Sequence, residues 1–132
     1  MSIKTYKDLI VWQKAVALVT DIYTITKSFP KDEMYGIINQ VRRASVSVPS
    51  NIAEGWTRSS TKSYTHFLHI ANGSLSETET LLIISNNLGY LDSATFNNLS
   101  SQIAEIGKMI NGLIRSLNEK EVFQAVTDLT ES

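Results

Sequence analysis

Apolar positions recur at steps of three and four along almost the whole chain and show no sustained alternation, so the pattern is that of amphipathic helices and of no strands. In the first segment, about residues 6 to 28, Leu9, Trp12, Val16, Val19 and Tyr23 form one row, and Val11, Ala15, Leu18 and Ile22 form a second beside it. A face that broad packs against more than one neighbour, with Trp12 in the core. Phe29-Pro30 ends the segment, because the residue before proline is pushed out of helical geometry. Pro30, Asp32 and Glu33 suit the first turn of a second helix that runs to Gly55 or Trp56. Pro49 lies inside it without an N–H for the Ser45 carbonyl, which predicts a kink or a split there, with Ser45, Ser47 and Ser50 at hand to relieve the freed carbonyl.

Ser59-Ser60-Thr61 caps a third helix whose row is Tyr64, Phe67/Leu68, Ala71, Leu75, Thr78, Leu81/Leu82 and Leu88, closed by a left-handed Gly89. Within it, Ala71-Asn72-Gly73-Ser74 is a patch of small residues. A mid-helix glycine costs about 1 kcal/mol relative to alanine, and close approach of another helix is the expected compensation. Asp92 or Ser93 caps the fourth helix, in which Phe96, Leu99, Ile103, Ile106, Ile110, Leu113 and Leu117 keep a strict heptad, with Gly107 and Gly112 as further close contacts. From Asn118 the pattern weakens, and Val122, Phe123, Val126 and Leu129 form a short docking helix or fray. The expected fold is all-α: an up-down-up-down antiparallel four-helix bundle over residues 1–118, its second helix kinked at Pro49, followed by a tail or short helix over 119–132.

The second helix carries a polar row beside its apolar one. Val41, Ala44, Val48 and Ile52 alternate with Arg43, Ser47, Asn51 and Glu54 on a neighbouring face. A solvated face is more cheaply built of Lys and Glu. Short Ser and Asn side chains suit a surface that another helix approaches closely, where each polar group has a specific partner. This row, with Gly73, Ser74 and Glu77 of the third helix, reads as an interface or buried polar stripe, in which Arg43 pairs with Glu77, Glu79 or Glu54 of the same or another subunit.

Composition narrows the chemistry. The chain has 132 residues, 42% of them hydrophobic, enough for one domain that hides roughly two-thirds of its unfolded surface. It has no cysteine, which excludes disulfides, thiolate metal sites and cysteine nucleophiles and fits a cytoplasmic protein. No run approaches the length of a membrane span, so no membrane partner is expected. The net charge of −1 is unevenly placed: eight Lys/Arg against five Asp/Glu in residues 1–60, four against eight in 61–132. A pI of 6.1 is not that of a nonspecific nucleic-acid binder.

No cofactor, metal or small-molecule substrate is expected. A di-iron bundle needs Glu-x-x-His pairs, and no glutamate has a histidine three residues on. His66 and His69 are the only histidines and supply too few ligands for a metal. Arg58 precedes His66 with seven residues between them, too many for the Arg–His pair of helical-bundle ribonucleases. A noncatalytic protein is the expectation. Arg42, Arg58 and Lys62 are the candidates for contact with an anion or RNA, and Trp56, after Gly55 at a helix end, is a candidate partner contact.

Leu9-x-x-Trp12, Phe29-Pro30-x-x-Glu33-x-Tyr35-Gly36, Gln40-Val41-Arg42-Arg43-Ala44, Ser47-Val48-Pro49-x-Asn51-Ile52-Ala53-Glu54-Gly55, Arg58, Phe67-Leu68-x-Ile70-Ala71-x-Gly73-Ser74-Leu75-x-Glu77 and Leu88-Gly89-Tyr90 together resemble a known family. It is that of the four-helix-bundle proteins encoded in intervening sequences of bacterial 23S ribosomal RNA genes. The resemblance covers about residues 7 to 118. It implies a cytoplasmic homopentamer without established enzymatic activity, linked to ribosomal RNA through gene location. A similar family, the accessory variability proteins of diversity-generating retroelements, forms pentamers that bind a reverse transcriptase and its RNA, but those proteins are strongly basic. The expectation is therefore a noncatalytic oligomeric adaptor that recruits a protein or ribonucleoprotein, with direct RNA binding by the pentamer as the alternative.

Overall fold

The computed structural model describes residues 2–131, and among them every regular element is helical. Four α-helices span Ile10–Thr26 (α1), Asn39–Trp56 (α2), Thr61–Asn87 (α3) and Ser93–Glu131 (α4). Cross-helix pairs set their directions. Lys14 reaches Glu105 while Asp21 reaches Gln102, Ser47 meets Ser74 while Gly55 meets Tyr64, and Leu75 lies against Gly107 while Asn72 meets Asn111. Each pairing runs antiparallel. The helices pack in sequence order, most extensively α2 on α3, and α4 closes back on α1.

The core is the shared apolar stripe of all four helices. On α1 the buried row is Val11, Ala15, Leu18 and Ile22, continued by Thr26. The row through Trp12 and Val16 sits at the margin. Trp12 is half-buried against the core and meets the Tyr6 ring edge-on at 5.4 Å, so it is not the central core residue expected from its spacing. The other helices bury the expected rows: Val41, Ala44, Val48 and Ile52; Leu68, Ala71, Leu75, Thr78, Leu81 and Leu82; Leu99, Ile103, Ile106 and Ile110. Leu88 ends its row exposed.

Four buried polar side chains need no partner helix. The hydroxyls of Thr26, Ser45, Thr78 and Ser85 donate back to the carbonyls of Ile22, Arg42, Ser74 and Leu81, at 2.7, 3.0, 2.8 and 2.8 Å. Each of these four bonds inside its own helix and leaves no orphan.

The helix ends follow local chemistry. Ser60 accepts from the Ser63 N–H at the start of α3, and Asp92 accepts from the Thr95 N–H at the start of α4. At the end of α3, Gly89 has φ 78°, with Tyr90 N–H bonded to the Ser85 carbonyl and Gly89 N–H to that of Asn86. These two bonds satisfy the last carbonyls of the helix in a Schellman arrangement that favours glycine.

A break in the second helical segment falls at Gly36, and the helix is not split at Pro49. Lys31–Glu33 is a 3-10 turn and Met34–Ile38 a wide turn, with Gly36 outside helical geometry at φ −107°, ψ −117°. Helix α2 then continues through Pro49 to Trp56. Pro49 is buried, as are Val48 and Ile52 on the same helix, and the core packing of this stretch offsets the missing N–H. Ser45 and Ser47 are engaged elsewhere and do not serve the Ser45 carbonyl.

The C-terminal segment is not a separate short helix. Residues 119–131 prolong α4 beyond Ile114, its last buried residue, and leave Val122, Phe123 and Val126 between 54% and 72% exposed.

Candidate functional site

The polar row of α2 and the small residues of α3 meet along one cleft. Asn51 donates from Nδ2 to the Ser47 carbonyl at 2.8 Å and to Ser47 Oγ at 2.9 Å, and Ser74 Oγ donates to Ser47 Oγ at 2.8 Å. Helical spacing puts Ser47 and Asn51 one turn apart, and the antiparallel register of α3 brings Ser74 opposite. The trio is half-buried. Asn51 therefore caps a local network, and only the Ser74–Ser47 bond crosses between helices.

Arg43 and Glu77 line the same cleft, with Asn39, Gln40 and Ala44. Both are exposed, and neither has an ion pair among the described residues. The expected pairing of Arg43 with Glu77, Glu79 or Glu54 is absent within the subunit. Glu54 is taken by Arg58, four residues on in the α2–α3 turn, and no ion pair joins Arg43 to Glu77. Two opposite charges thus border a half-buried polar cluster without neutralising each other. Ile70, on the Ser74 and Glu77 side of α3 and 39% exposed, adds open apolar surface that the polar pattern does not mark. Its i, i+4 spacing to Ser74 is the signal that finds it.

Gly73 does not serve a close approach within the subunit, because a Cβ added there meets nothing within 4 Å. Gly55 does. A Cβ at Gly55 would lie 2.9 Å from Tyr64 Cδ1, 3.0 Å from Phe67 Cβ and 3.2 Å from the Tyr64 carbonyl oxygen. The tight crossing is at the α2–α3 turn, one helix end away from the small-residue patch.

The cationic candidates divide. Arg42 is structural: its Nε donates to Thr26 Oγ1 at 2.9 Å, its Nη2 donates to the Tyr23 carbonyl at 3.3 Å, and its guanidinium lies 4.6 Å over the Tyr23 ring. This side chain satisfies the C-terminal end of α1, where a positive charge is favoured. Arg58 is paired with Glu54 and stacked 4.6 Å over Phe67. Lys62, at the start of α3, is exposed and without an ion pair among the described residues. Trp56 is half-buried, edge-on to Tyr64 at 6.3 Å, so it braces the α2–α3 turn with part of its surface still open.

Titratable chemistry is sparse. The Tyr64 hydroxyl is buried without a hydrogen-bond partner, and burial pushes its pKa up. The Tyr90 hydroxyl donates to Glu33 Oε2 at 2.9 Å, and that bond raises its pKa, with burial and the Glu33 and Asp32 charges adding to it. His66 and His69 are both exposed on α3, and no group of three or more His, Asp and Glu gathers among the described residues. Among the described residues no helix is long and apolar enough to cross a membrane.

The sequence matches the 23S rRNA-intervening sequence protein family over residues 7–112. Among curated proteins nothing matches. Among solved structures, the chain is similar to a protein of unknown function from the S23 ribosomal protein family of Bacteroides thetaiotaomicron, at 21% identity and a TM-score of 0.72. The likeness covers 80% of this chain and 98% of that one. At that identity it speaks for the shared helical fold alone.

Proposed function

From the premise that this chain belongs to the 23S rRNA-intervening sequence protein family, we propose that it is a noncatalytic, cytoplasmic adaptor that assembles into a ring of about five copies through the α2–α3 cleft. The observation that carries this reading is the pair of unneutralised charges, Arg43 and Glu77, bordering the half-buried Ser47–Asn51–Ser74 cluster. A half-buried network of short polar side chains supports a specific contact better than a solvated face does, and charges on its rim set register and partner choice. Open space over Gly73 leaves room for a second backbone to approach. The outer surface of the assembly then recruits a protein or ribonucleoprotein.

Light scattering tests the assembly. The native chain is expected as a particle of about five subunits. Arg43→Glu lowers the mass, and Arg43→Glu with Glu77→Arg restores it, because the charges pair across the interface. Asn51→Leu disturbs the particle or its melting temperature. A native monomer, or a particle indifferent to all three changes, sinks the reading.

Direct RNA contact is the second reading, supported by exposed Lys62 beside Arg58 at the α2–α3 turn, which a ring would repeat around its axis. It is the weaker one, since Arg42 is committed to α1 and Arg58 to Glu54. Anisotropy with structured ribosomal RNA at two salt concentrations decides it: salt-sensitive micromolar binding lost in Lys62→Glu supports it, and salt-independent or absent binding removes it.

A further inference from the structure

One aromatic side chain stands almost wholly outside its own subunit. Tyr35 is 94% exposed, beside Met34 at 45%, and it has no hydrogen bond or ring contact among the described residues. Its presentation is nonetheless fixed. Phe29 before it and Ile37 and Ile38 after it are buried, the Phe29 ring lies 5.3 Å from that of Tyr90, and the Tyr90 hydroxyl donates to Glu33 Oε2 at 2.9 Å. Gly36 lets the turn close against this clasp, since a Cβ there would lie 2.9 Å from the other oxygen of the same carboxylate. Met34–Ile38 forms a wide turn, and single turns of this kind inside helical segments recur at functional sites. The chain anchors both ends of the turn and leaves its tyrosine outside.

The turn runs directly into the α2–α3 cleft. Asn39 and Gln40 follow Ile38, Arg43 lies one helical turn further on, and with Ser47, Ser74 and Glu77 they line a space of about 320 Å³. Its chemistry is that of the aromatic contacts this chain builds elsewhere. Arg42 lies 4.6 Å over the Tyr23 ring, Arg58 lies 4.6 Å over the Phe67 ring, and Glu33 accepts the Tyr90 hydroxyl. Of the arginines at 42, 43 and 58, Arg43 is the one that covers no ring among the described residues. Arg58 pairs with Glu54 and covers a ring at once, so a ring against Arg43 is compatible with its pairing to Glu77 across an interface.

We propose that Tyr35 of a second copy enters the α2–α3 cleft, its ring against the Arg43 guanidinium and its hydroxyl among the polar side chains of the lining. The contact rests on the assembly through that cleft and adds the side chain that the neighbouring copy contributes. Continuity selects a second copy as the occupant. Because the turn borders the cleft, copies that meet through the cleft bring their exposed tyrosines to the same interface. At 94% exposure Tyr35 makes no use of its own cleft. A tyrosine held by its backbone loses little freedom on docking, which is why such residues anchor interfaces.

The test places photoreactive p-benzoylphenylalanine at position 35 of an unlabelled chain. This chain is mixed with isotope-labelled native chain, diluted, reconcentrated and irradiated. Cross-links from the unlabelled position 35 to labelled residues 39–47 or 74–77 are expected. Cross-links confined to the same chain, cross-links to other surfaces, or none at all overturn the proposal. Light scattering gives the second measurement. The dissociation concentration rises about tenfold in Tyr35→Ala and less in Tyr35→Phe, which keeps the ring. An unchanged value in Tyr35→Ala overturns the contact. Circular dichroism stays native in both variants, because Tyr35 packs on nothing in its own subunit.

The two interface readings fail separately. An assembled particle that depends on Arg43 and Glu77, ignores Tyr35→Ala and gives no cleft cross-link defeats the tyrosine contact and leaves the α2–α3 assembly standing. A cleft cross-link in a particle indifferent to Glu77→Arg keeps the tyrosine contact and removes the charge pairing. A native monomer defeats both.

Discussion

Two glycines on facing helices have opposite meanings. Gly55 sits where a methyl group would strike the Tyr64 carbonyl and two side chains, and a backbone oxygen cannot rotate away. Gly55→Ala is expected to destabilise the chain by about 1–3 kcal/mol in denaturant titrations, the range for overpacking. Gly73→Ala meets open space and gains up to about 1 kcal/mol from helix propensity, and the same variant loses mass in light scattering if a second backbone closes over it. Arg42→Ala removes two hydrogen bonds and a ring contact from the end of α1, for an expected loss of about 2 kcal/mol by thermal melting, with no change in RNA binding. Sequence shows an arginine and two glycines. Which of them is spent on a neighbour depends on the register of the antiparallel pair, and that is not written in either helix alone.

At the scale of an element, α4 divides into a packed part and a free one. Its core residues end with Ile114 and partly covered Leu117. Truncation after Asn118 is therefore expected to move the unfolding midpoint of the dissociated chain by no more than about 0.5 kcal/mol, as for surface changes. The start of α4 responds to acid. Asp92 holds the Thr95 N–H, which depresses its carboxyl pKa in the folded state, so this contribution is present above the ordinary carboxylate value and is lost as pH falls through the depressed folded value. Asp92→Asn keeps an acceptor without that titration, and its acid-unfolding profile should be flatter than that of the native chain below about pH 4, measured by circular dichroism. The capping residue was legible from the pattern before α4. The fate of Pro49 was not, because the penalty for a proline in a helix is local while the packing of Val48 and Ile52 that holds the helix together is tertiary.

The whole molecule is four helices joined by short connections, each packed on its sequence neighbours and closed by α4 on α1. Such topology makes most contacts between nearby parts of the chain, and the dissociated subunit is expected to refold within milliseconds in stopped-flow fluorescence of Trp12 and Trp56. Buried serine and threonine on the apolar side do not interrupt this packing, since Thr26, Thr78 and Ser85 bond within their own helices. The sequence by itself determined the helical class, the four segments, the buried rows of α2, α3 and α4, the glycine cap at Gly89, and that α3 and α4 are capped within Ser59–Thr61 and at Asp92 or Ser93. All of these follow from periodicity and from local backbone chemistry. Only the tertiary structure decided which of the two α1 rows is core, that the break lies at Gly36, that Arg42 is committed while Arg43 and Glu77 are left open, and that Gly55 rather than Gly73 is the tight crossing. Those outcomes depend on the rotation and register of one helix against another, which a one-dimensional pattern does not contain.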